Sequence, residues 1–71
     1  MNRTFKIVGK YTELSIFNKG KLGLQAKKRV YTSLIDFEKY APDTITRWRN
    51  FCKFDVTIFE LVKGKWILTL D

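Results

Sequence analysis

Leu34, Phe37, Ala41, Ile45, Trp48 and Cys52 recur at spacings of 3, 4, 4, 3 and 4 residues. At about 100° per residue these six lie on one narrow stripe, the pattern of an amphipathic helix laid on a sheet. This is the clearest element of the chain. Thr32 or Ser33 can cap its N-terminus, and Asp36 follows Ser33 by three residues, where a carboxylate complements free amides and the helix dipole. Lys39, Asp43 and Arg47 stand four apart on the opposite side and can pair.

Pro42 interrupts the pattern, at a cost of about 3 kcal/mol in a helix interior. Either the helix bends there, or Pro42 opens a second short helix as N1 prolines do. The stripe keeps its phase across Pro42, so the spacing predicts one bent helix over about 33–50.

Before the helix, Phe5–Val8 is a short β-prone run, with Phe5 and Ile7 on one face. Leu14–Phe17 reads as a second strand, followed by a turn at Asn18-Lys19-Gly20. Between Lys21 and Tyr31, Leu22 and Leu24 alternate as in a strand, as do Lys28 and Val30. Gly23 and the Lys27-Lys28-Arg29 cluster suit a loop equally, and the expectation is a third strand, ragged at its start.

After the helix, Phe54–Leu61 and Lys65–Leu70 flank a turn at Val62-Lys63-Gly64. Gly64 either ends a two-residue primed turn or supplies the left-handed residue of a bulged turn. The first would force Lys63 to positive φ, so the bulged turn is expected. It puts Val56, Ile58, Trp66, Leu68 and Leu70 on one side and Phe59, Leu61 and Ile67 on the other. The tight turn instead groups Phe59, Leu61, Trp66, Leu68 and Leu70 against Val56, Ile58, Val62 and Ile67. In either register an apolar set faces away from the helix. That set is either an interface or is covered by the N-terminal strands or the 19–31 segment.

The expected fold class is therefore α+β: a single small basic domain over 1–71, with one Pro-kinked helix on one face of an antiparallel-rich sheet. The sheet has four or five strands in the order β-β-(β)-α-β-β. Hairpin, helix, hairpin resembles the element order of small β-grasp domains, such as the immunoglobulin-binding domains of protein L and protein G. The likeness is topological and implies no function.

A chain of 71 residues holds one modest core, burying about 60% of the surface its unfolded form exposes. Eleven aromatic residues argue against disorder. Cys52 is the only cysteine and there is no histidine, which excludes an internal disulfide and the usual zinc sites. No apolar run approaches the length of a membrane span, and Arg3 and Lys6 break any secretory h-region. The expected location is the cytoplasm, with no membrane partner.

Catalysis is not expected, and no cofactor or metal. Without histidine the commonest general acid–base is missing, and Cys52 lies on the apolar stripe as a structural thiol with no base to activate it. Asp36 and Glu38 point to different helix faces, and Asp55 belongs to a strand. Lys19-Gly20-Lys21-Leu22-Gly23 lacks the spacing and following helix of a phosphate-binding loop.

Charge is the best functional clue. Through Val30 there are eight basic residues against Glu13 alone, whereas from Tyr31 onward six basic residues meet six acidic ones. The whole net charge of +7 thus belongs to the N-terminal half, whose field attracts polyanions. Lys19, Lys21, Lys27, Lys28 and Arg29 are the expected contacts to nucleic acid (DNA or RNA) or another polyanion, extended by Arg3, Lys6 and Lys10. Tyr11, Phe17 and Tyr31 are candidate stacking surfaces, and Leu22, Leu24 and Tyr31 would anchor the basic segment. The plain alternative is a solvated, solubilising Lys-rich loop. A second functional expectation is a protein-interaction module: a homodimer, or a regulatory phage-type accessory protein that binds an acidic surface or a larger host protein. It would use Phe59, Leu61 and Ile67 on the exposed sheet face.

Overall fold

Ser33 caps the helix: its backbone is extended and its hydroxyl accepts from the Asp36 amide at 3.1 Å. From there α1 runs unbroken over Leu34–Asn50 with Pro42 inside it. Pro42 is exposed, so the Glu38 carbonyl that loses its partner there can turn to water. In the computed structural model, which describes residues 3–69, α1 lies on one face of a four-stranded sheet. The strands are β1 (Phe5–Lys10), β2 (Gln25–Tyr31), β3 (Asp55–Val62) and β4 (Lys65–Leu68). Leu70, expected in the last strand, lies outside the described residues.

The sheet order is β2-β1-β3-β4, and every neighbouring pair is antiparallel. β2, α1 and β3 form a crossover that straddles β1, leaving β1 and β3 at the centre and β2 and β4 as edges. The resemblance to β-grasp domains ends at element order, because the central pair here is antiparallel rather than parallel.

Ile7, Tyr31, Ala41, Trp48, Phe54 and Val56 form the core between helix and sheet. Phe37 stacks on Phe5 with ring centroids 4.1 Å apart and meets Tyr31 edge-on at 5.8 Å. Trp48 crosses Phe54 at 6.3 Å and lies over Gly9. The stripe read from the sequence is the packed face of α1: Ala41 and Trp48 are buried, and Phe37, Ile45 and, just past the helix end, Cys52 pack against the core. On the opposite side Arg47 reaches Asp43 at 3.5 Å, whereas the Lys39 ammonium lies over Tyr40.

Two local expectations are corrected. Leu14–Phe17 is not a strand but part of the long β1–β2 connection, residues 11–24. Thr12, Ser15 and Asn18 there bond to nearby backbone and divert it from a ladder. The Ser15 hydroxyl accepts from the Thr12 amide, Asn18 Nδ2 donates to the Thr12 carbonyl, and Asn18 Oδ1 accepts from the amides of Gly20 and Lys21. The hydroxyls of Thr12 and Ser15 also donate to the Lys53 carbonyl at 2.7 and 3.1 Å, tying the loop to the end of the helix. Leu22 and Leu24 do not anchor this segment; both are exposed.

The second correction is the hairpin turn. Val62 pairs with Lys65, and Lys63 and Gly64 have φ of 50° and 80°. Two successive left-handed residues make a type I′ turn, so the tight register holds and the bulged one does not. The twist of the flanking strands favours the primed turn enough to hold a lysine at positive φ.

Candidate functional site

α1 covers one face of the sheet, and among the described residues no helix or strand lies over the other. The register writes that open face as four rows. Leu61 stands beside Trp66 at the hairpin end, and Val30, Lys6, Phe59 and Leu68 form the next row across all four strands. Lys28, Val8 and Thr57 follow, then Gln25, Lys10 and Asp55. The β3–β4 corner is thus apolar and aromatic, and Lys6, Lys10 and Lys28 extend from it over β1 and β2, with Asp55 the only acid in these rows.

The apolar corner is open to solvent: Val30, Leu61, Trp66 and Leu68 are 45%, 38%, 38% and 56% exposed. Its centre is Lys6, whose ammonium lies 4.4 Å from the Trp66 ring centroid and 5.1 Å from that of Phe59. Sequence reasoning did not assign Trp66 to this site or give Lys6 more than a supporting role. The signal was present in the alternation of β1 and β3, but only the hairpin register puts Trp66 on the same face as Phe59.

The expected basic contacts do not form one patch. Lys19 and Lys21 belong to the β1–β2 connection, and the Lys21 ammonium lies 5.7 Å from the Tyr11 ring centroid. Lys27, Lys28 and Arg29 lie in edge strand β2, where alternation separates them: Lys28 joins the open face, while Lys27 and Arg29 pair with Gly9 and Ile7 on the helix side. Lysines on an edge strand also discourage unwanted strand pairing. Arg3 is already committed, donating to Glu60 at 2.7 and 3.0 Å. That bond, reinforced by Coulomb attraction, holds the Glu60 carboxyl below its ordinary value and raises the Arg3 guanidinium.

Of the expected stacking residues, Tyr31 is unavailable: it is buried, and its hydroxyl meets that of Thr44 at 3.3 Å. Tyr11 is half-buried and edge-on to Phe54. Phe17 is 64% exposed on the loop. The expected interface trio also divides. Phe59 and Leu61 lie on the open face, but Ile67 pairs with Glu60 on the helix side, because the tight turn shifts one arm by a residue relative to the bulged one.

Among the described residues, no group of three or more Cys, Asp or Glu side chains is arranged to hold a metal. No helix there is long and apolar enough to cross a membrane. Compared with known proteins, the chain matches no family model, no curated protein and no solved structure.

Proposed function

We propose that this protein is a non-catalytic binding module of the cell interior whose open sheet face takes single-stranded nucleic acid. The observation that carries this reading is the placement of Lys6, Lys10 and Lys28 on the same helix-free face as Phe59 and Trp66. Ammonium groups neutralise phosphates and release counterions, and aromatic faces accept bases irrespective of sequence. The net charge of +7 adds a field that steers a polyanion to the surface.

The test is fluorescence anisotropy of a labelled oligothymidylate across a salt series. Three ammonium–phosphate contacts give a slope of log K against log salt of about −2 for a single strand. An affinity that ignores salt between low and physiological concentration overturns the reading.

A second reading rests on Val30, Leu61 and Leu68. These aliphatic side chains offer bases nothing to stack on, and their contiguity with Phe59 and Trp66 suits a protein interface with a polar rim. The partner is then a second copy or an acidic protein surface. Capture from a lysate with and without nuclease separates the readings: nuclease-resistant capture that Leu68→Lys abolishes favours the protein partner.

A further inference from the structure

The cations that the fold turns away from the open face gather elsewhere. Lys27 and Arg29 lie on the helix side of β2, and Arg47 comes to the same cleft from the last turns of α1. Together with Thr44 and Trp48 they line a cleft of about 440 Å³ between edge strand and helix. Trp48 and Thr44, both buried, form an ordered floor. Trp48 is fixed over Gly9, and Thr44 is held against the Tyr31 hydroxyl.

Among the described residues only Asp43 offers this cluster a counter-charge. Lys27 and Arg29 have no carboxylate partner, and Arg47 has only Asp43 at 3.5 Å, whose side chain is 87% exposed. An ion pair so open to water gives little stabilisation. Adjacent like charges repel, and an anion that bridges them relieves that repulsion. Two guanidiniums from different elements also suit the forked geometry of a phosphate oxyanion, which a lysine cannot match.

We infer that the β2–α1 cleft is a phosphate-binding site, separate from the open sheet face, in which Arg29 and Arg47 clamp a multiply charged phosphate and Lys27 stands at its mouth. The site does not depend on what the open face binds.

The chain carries its own reporters, since Trp48 floors the cleft and Trp66 lies on the open face. The two indole N–H signals of ¹⁵N-labelled protein, assigned with Trp66→Phe, are followed while sodium tripolyphosphate is added at constant ionic strength. The Trp48 signal shifts and saturates. In the double variant Arg29→Gln/Arg47→Gln the apparent affinity falls about tenfold or more, the loss expected for charge-assisted hydrogen bonds. Lys63→Gln/Lys65→Gln removes the same charge from the hairpin tip and leaves the affinity unchanged. All the substituted side chains, Trp66 included, lie outside the core, and dispersion of the spectra confirms that each variant is folded.

Oligothymidylate forms the second arm. If it too moves the Trp48 signal, and not in the double variant, the phosphates come from a nucleic-acid strand; a response to tripolyphosphate alone identifies a free polyphosphate. A Trp48 signal that neither probe moves overturns the inference, as does equal loss in both double variants. A silent Trp66 signal counts against the open face only.

Discussion

The ammonium of Lys6 lies 4.4 Å from the Trp66 ring centroid although β3 runs between their strands. A cation over an indole is attracted by about 0.5–2 kcal/mol, depending on exposure, and here it pre-positions a charge beside a stacking surface. The two residues therefore have separable roles. Trp66→Ala is expected to weaken oligonucleotide binding by about 1–3 kcal/mol, the worth of one stacked base, with the salt slope intact. Lys6→Ala is expected to make that slope shallower by about 0.7. Anisotropy titrations over a salt series measure both, and a Trp66→Ala slope that changes as much as the lysine's would remove the stacking role.

Gly9 faces the helix at the centre of the sheet. A Cβ there would sit 3.0 Å from Trp48 Cε3 and 3.0 Å from Phe54 Cδ2, and both rings are themselves held in the core. Gly9→Ala is expected to destabilise by about 1–3 kcal/mol through overpacking. Urea unfolding checks this, and a midpoint equal to wild type would mean that the two rings repack freely.

Lys63 holds φ 50° in the tight turn, beside Gly64 at 80°. Asparagine tolerates this region better than lysine, and Asn-Gly is the preferred pair for a type I′ turn. Lys63→Asn should therefore stabilise the domain by about 0.5–1 kcal/mol, and Gly64→Ala should destabilise it by about 1–2 kcal/mol. Thermal melts that order the variants the other way would restore the bulged turn.

The Arg3–Glu60 pair makes stability depend on acid pH. Glu60 is lowered in the fold, chiefly by its hydrogen bond from Arg3. A lowered carboxyl contributes stability above its unfolded pKa and loses it as pH falls through its folded pKa. The stability gap between wild type and Arg3→Gln is therefore present at neutral pH, shrinks below about pH 4 and closes once Glu60 is protonated. Added salt narrows the gap, because the pair is partly exposed. Denaturant titrations at a series of pH values measure it, and a gap that persists in strong acid would show that Arg3 stabilises through its contact over the Phe5 ring instead.

The helix and its buried face were legible because a stripe of six residues at helical spacing leaves no other way to bury itself, and the Ser33 cap marks its start. Strands β1, β3 and β4 were legible from β-prone runs and turn residues. The 11–24 connection was not: Leu14, Ile16 and Phe17 look like a strand, but local bonds of Ser15 and Asn18 and tertiary ones from Thr12 and Ser15 to Lys53 hold the segment as a loop. The side-chain-to-backbone bonds that hold this loop leave no trace in hydrophobic period.

The sequence by itself determined the element order, the core face of α1 and the positive charge of the N-terminal half. Which charges act together was decided only by tertiary structure. Side chains alternate along a strand, so Lys27, Lys28 and Arg29 divide between two faces, and a one-residue choice at Lys63-Gly64 decides that Trp66 joins Phe59 and Leu61 while Ile67 does not. Turn register and strand pairing are non-local quantities, settled by the packing of the whole sheet against Trp48 and its neighbours.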